Sequence, residues 1–442
     1  MTSLSDPHRF LQSPFRTFFL LWVPVLFSLV AEPLTGLVDT AFVSRLGAEA
    51  LAALGVGTMV LSSVFWVFNF LSVGSQTEVS QARGRQDPDG GRRMGSLAMA
   101  LAICAGTMLG VLAMVSASFL ATLMGAAGAV HQQAVLYIQV RAAGAPAVLM
   151  TLTAFGILYG LQDMRTPLKI ALLVNALNIF LDAVLIFGLG PVPPLGIAGA
   201  AAASVASQWI GAAMGLYCVV VRMGLTPKIR IADVKRLLRV GFDMFVRTGL
   251  LTLFLLLATR AATRIGPEAG AAHQAVRQVW VSTALFLDAS AITAQSLVGF
   301  FFGSGCIGEA RAVARLVCLW SVLVGAGIMA MMMAGRHLAA AALVPPSGLG
   351  LFFPAWTVAA LIQPLGALAF VTDGIHWGTG DFRYLRNGVA LATGCAVMGL
   401  WLLDESGPDA LTRIWWITGG WILIRAGLGM LRIWPGTDKS PL

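Results

Sequence analysis

Two carboxylates and two amides stand in stretches of this chain that are otherwise apolar. Asp39 lies inside "EPLTGLVDTAFVSRLG" (32–47), near the end of an apolar run that begins at Phe15. Asp182 lies inside "LNIFLDAVLIFGLG" (177–190), and Asn175, Asn178 and Asp182 are spaced i, i+3 and i+7, which is one face of a helix. An ionised Asp in hydrocarbon costs about 2.5–3.5 kcal/mol, so these groups are expected to face protein or water. The chemistry open to them is ion handling. Two neighbouring carboxyls can take and release a proton, and carboxylate plus amide oxygens can equally hold Na+ at Asp39, Asn178 and Asp182. The alternative is structural: the acids are hydrogen-bonded helix glue.

Other embedded groups invite narrower readings. Arg247 lies early in a later apolar run, with Asp243 one turn before it, and Asp288 and Asp373 lie in two further runs. An ion pair between Arg247 and one of these acids competes with substrate contact by Arg247 and Asp288. Arg141 and Arg277 have stems long enough to snorkel to the interface. Trp66, Phe68 and Phe70 can line a cavity for flat cations through cation–π contact, or simply face lipid and neighbours. Pro24 and Pro33 fall in the first run and can kink it.

Much chemistry is disfavoured. The five cysteines (Cys104, Cys218, Cys306, Cys318, Cys395) form no CxxC pair and read as small buried residues, without disulfides or a metal site. The five histidines are dispersed, from His8 near the start to His376, with no HExxH pattern. No nucleophile–base set is visible, so the chain reads as a non-enzyme without a cofactor.

The elements that must position these residues follow from composition. The chain has 442 residues, 58% hydrophobic and 11% charged, against about 25% charged in a soluble domain. It belongs in a bilayer. Its net charge of +9 sits in short clusters between apolar runs, not on a face with aromatic readers, so nucleic acid is not an expected partner.

Runs of roughly 20 apolar residues mark membrane helices. Twelve are read, at 16–43, 50–77, 94–120, 131–158, 167–188, 196–221, 240–262, 270–298, 313–334, 350–377, 386–403 and 413–432. Lys and Arg are concentrated in the loops on the side of the N-terminus, from Arg9 to Lys439, which puts both termini in the cytoplasm of a multi-pass inner-membrane protein. The most basic loop, "RMGLTPKIRIADVKRLLRVG" (222–241), divides the chain into a lobe at 1–221, a linker at 222–240 and a lobe at 241–442. The linker is expected either to lie on the anionic leaflet as an amphipathic segment or to be a plain connection.

The lobes are one unit written twice. A shift of 219 residues lays "RLGAEALAA" (45–53) on "RIGPEAGAA" (264–272) and Gln76 on Gln295. A shift of 218 lays Pro146 on Pro364 and "FGILYGLQDMR" (155–165) on "DGIHWGTGDFR" (373–383). The fold class is therefore an all-α membrane protein of two six-helix lobes in a parallel tandem repeat, an arrangement that builds transporters around a cavity. Asp39 meets Ala258 and Asp182 meets Leu400 in the second copy, so the scaffold tolerates apolar residues at both positions.

The stretches "EPLTGLVDTAFVSRLG", "LNIFLDAVLIFGLG" and "VTDGIHWGTGDFRYLRN" (371–387) resemble the multidrug and toxic compound extrusion (MATE) family, closest to its DinF-like branch. The resemblance covers nearly the whole chain. It implies antiport of organic cations against H+ or Na+ by alternating access. It places the family's cation-coupling acid on Asp39, its fifth-helix Asn and Asp on Asn178 and Asp182, and its bending proline on Pro24. Other branches carry an essential acid in the seventh helix, and no Glu stands there. A monomer exporting small organic, amphipathic compounds across membrane lipid is the expectation. A flippase of lipid-linked cargo is the alternative, and the scarcity of embedded Arg argues against an anionic cargo.

Overall fold

The computed structural model describes residues 9–189, 192–436 and 440–442. His8, Lys439 and residues 190–191 lie outside the described residues. Every regular element among the described residues is helical. In chain order the long helices are α1 (Pro14–Ser44), α2 (Ala48–Gly84, interrupted between Val67 and Phe70), α3 (Pro88–Leu123), α4 (Gly128–Ala142 and Ala145–Gly160), α5 (Arg165–Phe187) and α6 (Ile197–Arg222). They continue with α7 (Ile231–Ile265), α8 (Pro267–Gly303), α9 (Ile307–Ala334), α10 (Leu349–Leu361 and Gln363–Thr379), α11 (Phe382–Trp401) and α12 (Ala410–Leu431). Among the described residues nine helices are long and apolar enough to cross a membrane, and the bent pairs of α4 and α10 bring this to eleven. The twelfth, α11, opens with Phe-Arg-Tyr-Leu-Arg-Asn, whose polar turn lowers its mean hydropathy. The protein is a multi-pass membrane protein.

The helices are built inside out relative to a soluble protein. In α3 the buried stripe is small: Ala98, Ala102, Gly106, Gly110, Ala113, Ala117 and Ala121. Its exposed face carries Met108, Leu112, Val115 and Phe119. Small residues let helix backbones approach where there is no hydrophobic force between helices, and large apolar ones meet lipid. Cys104, Cys306 and Cys395 are exposed and only Cys318 is buried, which corrects the reading of all five as core residues. Lipid and core are both apolar, so an apolar context does not separate them.

Two compact units are present. One comprises Val23–Gly241, and the other comprises Phe242–Leu442 with the segment through Trp22. The division falls inside α1, just before Pro24. The helix runs unbroken through Pro24 and Pro33. Within the second unit the start of the chain is anchored by Trp22, whose Nε1 donates to Ser290 Oγ at 3.0 Å, and by Phe10 and Phe18 in an apolar cluster with Phe301 and Val317.

Equivalent contacts recur in the two units. Helix α2 maps onto α8 end to end at the shift of 219. A Cβ on Gly160 would stand 2.8 Å from the Gln76 carbonyl oxygen, and one on Gly378 would stand 2.9 Å from that of Gln295. Gly106 lies as close to Pro146 as Gly325 does to Pro364. These prolines follow the bends of 50° in α4 and 44° in α10, where each removes a backbone donor and crowds the preceding turn.

The basic connection does not lie free as an amphipathic surface segment. Residues from Ile231 are the first turns of α7, and they pack on the first unit. Leu237 is buried against Met94, Leu97 and Ala98, Arg236 pairs with Glu78, and Thr226 N donates to Ser96 Oγ at 2.9 Å.

Candidate functional site

The polar stripe of α5 faces inward because its opposite face is greasy: Leu172, Leu173 and Phe180 are exposed, while Asn178 and Asp182 are buried. Asp39 of α1 meets this stripe. The Asp39 and Asp182 carboxyls lie within reach of each other, and among the described residues no donor bonds either Asp182 oxygen. Ionised carboxylates only accept, so the two can bond each other directly only when one carries a proton. In the amide orientation that satisfies both neighbours, Asn178 Nδ2 donates to Asp39 Oδ1 at 3.1 Å and its oxygen accepts from Ser204 N at 3.2 Å. Groups from α1, α5 and α6 thus form one network.

Asp39, Asn175 and Asn178 form part of the wall of a cavity of about 510 Å³ within the first unit. Asp182 is fully buried behind that wall. The rest of the lining is mostly hydroxyl and amide: Thr35, Thr58, Ser62, Ser204, Ser207 and Gln208. Two more charges face it, Glu32 and Arg141. Sequence reasoning missed both as cavity residues. Glu32 stands seven residues before Asp39, so helical spacing already puts them on one face. Arg141 carried no such signal. It does not snorkel away: Nη1 donates to Gln208 Oε1 at 2.6 Å.

The aromatic candidates lie elsewhere. Trp66 is exposed, and Phe68 and Phe70 pack on each other at 5.9 Å against the core of the first unit. None of the three is among the residues lining this cavity.

The second unit has a different constellation. Asp373 Oδ2 accepts from Arg247 and, at 2.9 Å, from Arg425 Nη2, and all three side chains are buried. Arg247 also lies over the Trp377 ring at 5.2 Å, and Arg425 over Trp421 at 4.7 Å. Asp288 is within electrostatic reach of all three charges. Asp243 turns away from its helix neighbour Arg247 and accepts from Arg386 at 2.6 Å. Arg425, a lone cation in the last apolar run, was not singled out from the sequence.

No group of three or more His, Cys, Asp or Glu able to hold a metal ion occurs among the described residues. The Asp39–Asn178–Asp182 set supplies oxygen atoms, but in the satisfied orientation the Asn178 oxygen is turned to Ser204 N.

Comparison with known proteins places the chain among its relatives. The sequence model of the MatE family matches residues 24–184. "Protein DETOXIFICATION 44, chloroplastic" of Arabidopsis thaliana is 30% identical over 433 residues, covering 95% of this chain and 82% of that protein. "DNA damage-inducible protein F" of Escherichia coli (strain K12) is 28% identical over 441 residues, covering 96% and 93%. Among solved structures, a crystal structure of MATE in the bent conformation superposes with a TM-score of 0.86 at 20% identity, over 96% of each chain, a likeness of fold.

Proposed function

The chain belongs to the MATE family, a family of transporters and not of enzymes, and from that premise we propose that it exports small organic, amphipathic compounds in exchange for protons. Relatives named for detoxification and multidrug resistance support export as the direction. The observation that carries the coupling is the meeting of two carboxyls, Asp39 and Asp182, at the wall of a cavity, with no donor bonded to either Asp182 oxygen among the described residues.

In this reading the pair shares one proton, and Asp39 is the member that lines the cavity. A cationic substrate and a second proton compete for the same negative charge, so binding one favours release of the other. The two must bind the alternating states with different affinity, or neither drives anything. Pro24 serves as hinge, standing where α1 passes from one compact unit to the other. Na+ is the competing ion. It needs the Asn178 oxygen turned onto the carboxylates, whereas the satisfied network turns the nitrogen there, and this favours H+. We place the protein in the plasma membrane as a monomer, with both termini cytoplasmic.

The test is dye efflux from proteoliposomes under an imposed pH gradient and, separately, a Na+ gradient. Wild type is expected to respond to the pH gradient, and Asp39→Asn and Asp182→Asn to lose that response. Undiminished pH-driven efflux by Asp39→Asn would end this reading.

A further inference from the structure

The cavity of the first unit contains a fixed cation beside its acids, and this bears on what it binds. Arg141 sits in the last turn before the 50° bend of α4. The bend positions it in two ways. Gly144 leaves room for Gln208, whose Oε1 would stand 3.0 Å from a Cβ there. Trp209 Nε1 donates at 3.1 Å to the Ala143 carbonyl at the break. Gln208 then accepts from Arg141 Nη1 and fixes the guanidinium at the cavity wall.

A guanidinium has five N–H donors, and the neutral Gln208 occupies only one nitrogen. Among the described residues Arg141 forms no ion pair, although it lies within electrostatic reach of Asp39 and Asp182. The embedded Arg247 and Arg425 of the second unit both pair with Asp373. A half-buried Arg in a membrane helix is costly unless it meets an anion or water. Nor does the scaffold require it. At the shifts that align the repeats, Glu32, Asp39 and Arg141 meet Leu251, Ala258 and Ala359. All three cavity charges belong to the first unit alone.

We propose that this cavity selects amphoteric substrates: the cationic group goes to Asp39 and Glu32, and a carboxylate or comparable anionic group goes to the free donors of Arg141. About 510 Å³ suits a drug-sized molecule, and the hydroxyl and amide lining suits one rich in hydrogen-bonding groups. A planar guanidinium with free N–H groups matches a carboxylate in two parallel hydrogen bonds, which a lysine cannot reproduce. The inference rests on the export reading for its meaning as substrate choice, but binding alone tests it.

The probes are a rhodamine ethyl ester, a monocation, and the same rhodamine as its free carboxylic acid, a zwitterion at neutral pH. Their affinities for the full-length protein in lipid nanodiscs are measured by fluorescence anisotropy. The acid is expected to bind wild type more tightly than the ester. Arg141→Gln should cut the acid-to-ester affinity ratio by about 10- to 100-fold, the loss of charge-assisted hydrogen bonds, and Arg141→Lys should restore part of it. A ratio unchanged by Arg141→Gln, or both probes weakened alike, would mean that Arg141 merely braces the α4 bend and would overturn the proposal. So would failure of both probes to bind wild type. A shifted ratio without gradient-driven efflux would sink the export reading and leave the site assignment standing.

Discussion

Replacing Asp373 by Asn is expected to destabilise the second unit far more than it disturbs coupling. Asp373 accepts from Arg247 and from Arg425 Nη2, and its side chain is 7% exposed. The Asn variant has nearly the same shape but no charge, leaving two buried guanidinia facing a neutral amide and the more distant Asp288. Removing one partner of a buried pair costs about 3–5 kcal/mol, because the other charge stays buried and uncompensated. For a unit of this size each kcal/mol lowers the midpoint by about 2–4 °C, so the transition should fall by about 6–20 °C. The assay is thermal unfolding of the purified protein in detergent at one fixed scan rate, since membrane proteins often unfold irreversibly. Asp39→Asn is the internal comparison. There the new amide can donate to Asp182, and the midpoint should move by no more than about 4 °C, the scale of a single neutral hydrogen bond. A midpoint for Asp373→Asn within that margin would refute the structural assignment and return Arg247 and Asp288 to candidacy as substrate contacts.

Three further outcomes follow from the same geometry. Gly160→Ala and Gly378→Ala each put a Cβ under 3 Å from a backbone oxygen that cannot rotate away, so each should cost about 1–3 kcal/mol in thermal unfolding, by similar amounts in the two units. Arg236→Gln should lower stability by about 1–2 kcal/mol, because Glu78 is buried while Arg236 is half exposed and water replaces part of the lost pairing; Glu78→Gln should cost less. The double variant Asp39→Ala, Asp182→Leu gives the first unit the residues of the second; it should keep a wild-type unfolding midpoint within a few degrees yet show no pH-driven efflux, and failure to fold would assign the acids a structural role.

The sequence's apolar runs located all twelve helices, because hydropathy reports what hydrocarbon demands. It said less about where each helix stops. α7 begins at Ile231, not near residue 240, because charged turns outside the hydrocarbon continue the helix for packing reasons: Leu237 is buried and Arg236 reaches Glu78. The polar stripe of α5 was legible because helical period alone brings Asn175, Asn178 and Asp182 together. Its meeting with Asp39 was expected from the family resemblance. The cavity's second charge sign was not legible. Arg141 enters through a bend whose proline was visible in both repeats, but the Gln208 contact that aims it joins residues 67 positions apart. Arg425 was hidden for the same reason, since a lone Arg near the end of an apolar run looks the same whether it snorkels or pairs inside.

The duplication turns these differences into an argument about division of labour. What both units share is scaffold: the glycine contacts of α2 with α4 and of α8 with α10, and the loop acids Asp163 and Asp381, each paired with an arginine, Arg222 at 3.1 Å and Arg432 at 2.9 Å. What they do not share is how embedded charge is held. In the second unit Arg247 and Arg425 are held by one buried acid, Asp373, and by tryptophan rings, with Asp288 within electrostatic reach, so moving Asp373 uncovers two cations. In the first, no donor among the described residues bonds the Asp182 oxygens, and Arg141 answers to a neutral amide beside an open cavity. A closed network resists exchange because every partner lost is a buried charge exposed. An open one permits exchange because an arriving ion supplies the missing partner. The proposed exchange of ion and substrate is accordingly assigned to the first unit, where the open network stands.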